Sequence, residues 1–261
     1  MLKIKHSKTI DKKFHLVLAI CYLLSFPHIN VIAQETKITF LTEHLPPFQI
    51  KNGDQVKGYT TEIVKKLLSQ TNIDATFKIY PWSRAFNLAK SEQDTCIYKI
   101  ARTTARESLF HWVGVIKTTN THFIGLNENS NIEIKSIEDA KKYQIAVIRD
   151  DFTHSFLIDA GFVEHQNLYV VNNTHSLLKL LIKNDFIDLV VADGETVKYR
   201  AKNIGISQEK FKKYYQLNGK PLDFYLACSL KTDIKIVEQL SLALKNIKKN
   251  GEFYKIDNIA Q

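Results

Sequence analysis

An α/β fold in two lobes, the second inserted into the first, follows from three features of the chain. Strand and helix patterns alternate as β-α-β-α-β from Thr36 to Ile100, the order of a parallel sheet with crossover helices. The same order restarts at Tyr143 and runs to Asp193. A strand and a long helix are left over at the end, and they fit if the chain returns to the first unit. Two lobes joined by crossing strands leave a cleft, which is where small ligands bind.

The elements are read in order. "TKITFLT" (Thr36 to Thr42) is a strand, and "TTEIVKKLLSQ" (Thr60 to Gln70) is a helix with Ile63, Val64, Leu67 and Leu68 on one face. "ATFKIY" (Ala75 to Tyr80) alternates as a strand, "WSRAFNLAK" (Trp82 to Lys90) suits a helix, and "TCIYKI" (Thr95 to Ile100) is a strand. Glu107 follows Thr104 at the spacing of a capping box, which predicts a helix start flanked by Arg102 and Arg106. In the second unit, "YQIAVI" (Tyr143 to Ile148) and "LYVV" (Leu168 to Val171) are strands, with a helix from Thr153 between them. Thr174 caps the helix "HSLLKLLIKN" (His175 to Asn184), and "DLVVAD" (Asp188 to Asp193) is a buried strand. "DFYLACSL" (Asp223 to Leu230) is the returning strand, and Thr232 opens an amphipathic helix that stops at Gly251.

The first 33 residues predict export. Five lysines between Lys3 and Lys13 precede the apolar run Phe14 to Phe26, and "VIA" (Val31 to Ala33) sets cleavage between Ala33 and Gln34. The apolar core is too short for a comfortable membrane span. Ile20 and the apolar run beyond Cys21 argue against a lipoprotein site. The mature chain would carry 31 basic and 26 acidic residues, a net charge of +5. Lysine spread over helix faces, in an exported protein, gives nucleic acid no footing. The six mature histidines lack metal-ligand spacing. Phosphate-loop, zinc-protease and nucleophile-elbow motifs are absent, so no cofactor, metal or catalytic role is expected. Cys96 and Cys228 remain after processing, either paired or as two buried thiols.

Four stretches in this order resemble the bacterial solute-binding proteins of family 3, the periplasmic receptors for amino acids and related polar molecules. They are "TEHLPPFQIKNGDQVKGYTTEIVKKL" (Thr42 to Leu67), "ARTTARESLFHWVG" (Ala101 to Gly114), "SLLKLLIKNDFIDLVVAD" (Ser176 to Asp193) and "LALKNIKKNGEFYKI" (Leu242 to Ile256). The resemblance spans about residues 36–258. It implies the type II periplasmic binding fold, with lobe I from 34–116 and 221–261 and lobe II from 117–220. In this fold the returning strand lies beside the third strand, which would bring Cys96 and Cys228 within disulfide reach.

The resemblance also reweighs the arginines. Alone, Arg102 and Arg106 read as a solvated turn before they read as an anion grip. In the family, the arginine of Thr-x-x-Arg holds the ligand's α-carboxylate, and Arg106 occupies that place. The Asp ending the lobe-two strand pairs with the ligand's α-ammonium, and Asp193 matches it; its other role would be a helix cap. Trp82 sits where an aromatic stacks on the ligand, or packs in the core. Glu43 would reach a polar or cationic part of the ligand or face solvent, and Arg84 and Arg102 would extend the anion site, bridge the lobes or face solvent. The chain departs from the family pattern at three places. "IRDDF" (Ile148 to Phe152) replaces a small Gly-Thr turn, Val115 replaces a proline, and Lys99 and Ala101 stand where amino-acid binders use serine.

The sequence therefore predicts a monomeric periplasmic protein that captures a small polar, carboxylate-bearing ligand, an amino acid or similar. It would deliver that ligand to an inner-membrane ABC importer or a sensor. The rivals are a cyclohexadienyl-dehydratase-like enzyme on the same scaffold, and an accessory module that binds a protein partner.

Overall fold

A computed structural model describes residues 37–258, apart from residues 130, 173–176, 184 and 185. The leader and its cleavage site lie outside the described residues, as do Thr174, His175 and Asn184 of the expected helix.

Two five-stranded sheets carry the fold. The first contains β1 (Lys37–Thr42), β4 (Asp74–Ile79), β5 (Thr95–Ala101), β6 (Phe110–Thr119) and β12 (Leu222–Ser229), in the order β4-β1-β5-β12-β6. β1 runs parallel to β4 and β5, and the returning β12 is antiparallel to both β5 and β6. The second sheet has the order β11-β7-β10-β8-β9, built from β7 (Thr121–Leu126), β8 (Ile145–Ile148), β9 (Leu168–Val171), β10 (Leu189–Asp193) and β11 (Phe211–Gln216). β8 lies between β9 and β10 and runs parallel to both, and β7 pairs antiparallel with β10. The chain crosses between sheets where β6 runs into β7, and again between β11 and β12. A small hairpin, β2 (Ile50–Asn52) with β3 (Gln55–Lys57), leads into the first helix.

That helix, α1 (Tyr59–Leu68), buries Ile63, Val64 and Leu67 against Phe40 and the last helices. It begins after Gly58, not at Thr60, because the Thr60 hydroxyl is spent on the Phe48 carbonyl and the Gln49 amide. Only glycine fits at 58: its φ is 105°, and a Cβ would stand 2.4 Å from the Phe48 carbonyl oxygen. α2 (Trp82–Ser91) covers the other face. In the second lobe α3 (Phe152–Asp159) is capped by Asp151, α4 is Leu177–Lys183, and α5 (Gly194–Asn203) is capped by Asp193. α6 (Ile234–Lys249) is capped by Asp233, whose carboxylate accepts from the Lys235 amide, one residue beyond the expected Thr232. α7 (Glu252–Asn258) ends the described chain.

One expectation needs correction. The Thr104 capping box does not form: residues Thr104–Leu109 are a 3-10 turn without a side-chain cap, and Glu107 instead grips Arg102. The helix that Asp193 would cap is present, from Gly194 to Asn203. Cys96 and Cys228 are bridged. They are register partners on β5 and β12, with Cα atoms 3.9 Å apart.

Candidate functional site

β5 is buried at every residue, so a lysine within it is costly unless the strand gives its charge an outlet. It does so by bulging. Tyr225 of β12 faces Ile100 and Leu226 faces Tyr98, which leaves Lys99 as the extra residue, with φ at 61°. The bulge turns the Lys99 side chain into a cavity of about 70 Å³ between the two lobes, room for on the order of five water molecules. Its ammonium lies between two rings, 4.2 Å from the Phe48 centroid and 4.1 Å from that of Phe224.

Glu43, Trp82 and Ala101 share that wall from the first lobe; Asp151, Asp193 and Arg200 form the charged part of the second. Both aspartates cap helices. Asp193 accepts from the Thr196 amide at 2.9 Å and from its hydroxyl at 2.8 Å. Asp151 accepts from the Phe152 amide, and from the Thr153 hydroxyl at 3.1 Å. Arg200 reaches the cavity because the buried stripe of α5 repeats at helical spacing through Thr196, Val197 and Arg200.

Burial, helped by the Asp151 carboxylate, pushes the Glu43 carboxyl up to about 8, although Lys99 and Arg200 pull the other way. Burial pulls the Lys99 ammonium below its ordinary range, opposed chiefly by Asp193 and Glu43. Arg200 falls to about 10 for the same reason, with Glu43 and Asp193 opposing. The cavity therefore brings Lys99 and Arg200 together with three acidic side chains, of which Glu43 keeps its proton at neutral pH.

Arg106 is buried, but it is not among the residues that line this cavity. Its guanidinium packs 5.5 Å from the Trp82 ring and 5.1 Å from that of Phe86. It donates to the Asp150 carbonyl at 2.9 Å and to the Ala101 carbonyl at 3.3 Å. Trp82 Nε1 donates to the same Asp150 carbonyl at 2.8 Å. One carbonyl of the second lobe is thus held by two donors of the first. Lys117, where β6 leaves the first sheet, lies 3.0 Å from Glu195 at the start of α5. Arg102 and Arg84 are exposed and away from the cavity. Arg102 pairs with Glu107 beside the Trp112 and Tyr225 rings, and Arg84 stacks on Tyr80.

Of the residues singled out in the sequence, the structure brings Glu43, Trp82 and Asp193 to one cavity and sets Arg106 beside it. Sequence reasoning passed over Lys99, Asp151 and Arg200 as site residues. A lysine inside the apolar run "TCIYKIA" was the available signal for the first, and the i, i+3, i+4, i+7 spacing from Asp193 was the signal for the last.

The sequence profile of the bacterial extracellular solute-binding proteins, family 3, matches residues 38–259. An arginine-binding extracellular protein, ArtP of Bacillus subtilis (strain 168), is 22% identical over 215 residues, 80% of each chain. An arginine-binding periplasmic protein of Mannheimia haemolytica is 22% identical over 230 residues, 87% of this chain and 91% of that one. Among solved structures, a histidine kinase sensor domain with similarity to periplasmic binding proteins superposes with a TM-score of 0.75 at 16% identity. That match covers 85% of this chain and 94% of that one.

Proposed function

The chain belongs to the bacterial extracellular solute-binding proteins of family 3, and from that premise we propose that it is an exported receptor for a small, carboxylate-bearing solute. Lobe I (34–116 with 221–261) and lobe II (117–220) close on the solute and present it to an inner-membrane importer or sensor. The observation that carries this reading is the cavity itself, where Lys99 and Glu43 of one lobe face Asp151, Asp193 and Arg200 of the other. A polar solute satisfies both walls only when the lobes are together, so binding is coupled to closure. In this reading Glu43, Trp82 and Asp193 touch the solute. Arg106 acts by holding the Asp150 carbonyl, and Arg84 and Arg102 serve the outer surface. Native mass spectrometry of protein purified without refolding tests it. A carried-over small acid that raises the melting temperature when added back is expected. No thermal response to any carboxylate, including amino acids, overturns it.

A second reading is catalytic. Glu43, with its carboxyl raised to about 8, is a proton donor at neutral pH, the feature a cyclohexadienyl-dehydratase-like enzyme needs. Prephenate converted by the wild type and not by Glu43→Gln supports it; no turnover by the wild type removes it.

A further inference from the structure

The placement of Lys99 between two rings is the feature of the cleft that bears on which carboxylate it takes. Lys99 is 6% exposed. Among the described residues its Nζ makes no hydrogen bond and no ion pair; it meets two ring faces, and the carboxylates act on it from longer range. Ring faces stabilise a cation but leave its three N–H donors unspent. The acceptors opposite are partly employed, since Asp151 and Asp193 each take one hydrogen bond on each oxygen from their own helix starts. The acceptor capacity left on them is already shared by Lys99 and Arg200, on which these carboxylates act from longer range. A ligand ammonium would have to compete with Lys99 and Arg200 for these same carboxylates. A ligand carboxylate would instead give Lys99 its missing acceptor.

We propose that Lys99 is the chain's own substitute for a ligand ammonium and the anchor for the ligand carboxylate, so that the cleft selects acids without an α-amino group, such as 2-oxo acids, over amino acids. This rests on the reading that the cleft closes on a small carboxylate-bearing solute.

The test uses matched pairs that differ only at the α-carbon: pyruvate and L-alanine, 4-methyl-2-oxopentanoate and L-leucine, 2-oxoglutarate and L-glutamate, phenylpyruvate and L-phenylalanine. Each is titrated calorimetrically into the mature chain after exhaustive dialysis, and into Lys99→Ser. In the pair that binds best, the oxo acid should bind about tenfold or more tightly than its amino partner, as expected when a site's polar groups are left unmatched by one of two analogues. Lys99→Ser should erase or reverse that preference. If the serine variant does not fold, Lys99→Met keeps the stem between the rings and should lose the oxo acid alike. Tighter binding of the amino acid, or a preference unchanged by either variant, overturns the proposal and leaves the solute-binding reading intact. Binding of neither kind of acid overturns both.

Discussion

Replacing the bridged cysteines offers a large and separable effect. The Cys96–Cys228 bond closes a loop of 132 residues between two strands whose cysteines are fully buried. On the chain-entropy model, a cross-link over that length removes enough freedom from the unfolded chain to be worth about 5 kcal/mol at 25 °C. Each Cys→Ala substitution also removes packed atoms, at a cost of about 1 kcal/mol. The bridge can be lost only once, so the two substitutions should not add. Cys96→Ala alone should cost about 6 kcal/mol, and the double variant only about 1 kcal/mol more. For a chain of this size the bridge then corresponds to about 10–20 °C in melting temperature. The assay is urea denaturation of the two single variants and the double variant, read by circular dichroism, with the oxidised and reduced wild type alongside. Losses of about 1 kcal/mol that simply add, with a wild-type midpoint indifferent to reductant, would refute the reasoning.

Two further outcomes follow from the cavity. The Glu43 carboxyl is raised from 4.5 to about 8 in the folded protein, so the folded state keeps a proton that the unfolded state has released. Its contribution to stability is fully present below about pH 4.5 and is lost as the pH climbs to about 8. Glu43→Gln should flatten the decline of the melting temperature across that window, and parallel wild-type and variant profiles would show that Glu43 is not its source. Trp82→Phe removes one of the two donors to the Asp150 carbonyl but leaves that of Arg106, so the carbonyl stays satisfied and the cost should be about 1 kcal/mol. Urea midpoints measure it; a loss above about 3 kcal/mol would mean that the ring's packing, not its N–H, dominates.

The order of strands and helices was legible in the chain because each element has its own apolar period. Ile63, Val64 and Leu67 announce a helix face, and "DLVVAD" announces a buried strand, whatever surrounds them. The cap role of Asp193 was legible as well, because a carboxylate at the end of a buried strand has few roles, and here it caps α5 while lining the cleft. Local signals misled where a competing partner won. Glu107 had the spacing to cap Thr104, but Arg102 offers it a charged, two-pronged bond, and the helix start gives way to a 3-10 turn. What only the tertiary structure decided is where each charge is spent. Arg106 has the family's position but holds the Asp150 carbonyl, because the "IRDDF" turn, with Asp150 at a φ of 59°, presents that oxygen to it. Lys99 enters the cleft only because β12 skips it in register, and Arg200 joins it from a helix about a hundred residues away in the chain. A sequence states which side chains carry charge. Which charges meet in one cavity depends on register, bulges and the approach of two lobes, and no local pattern encodes these.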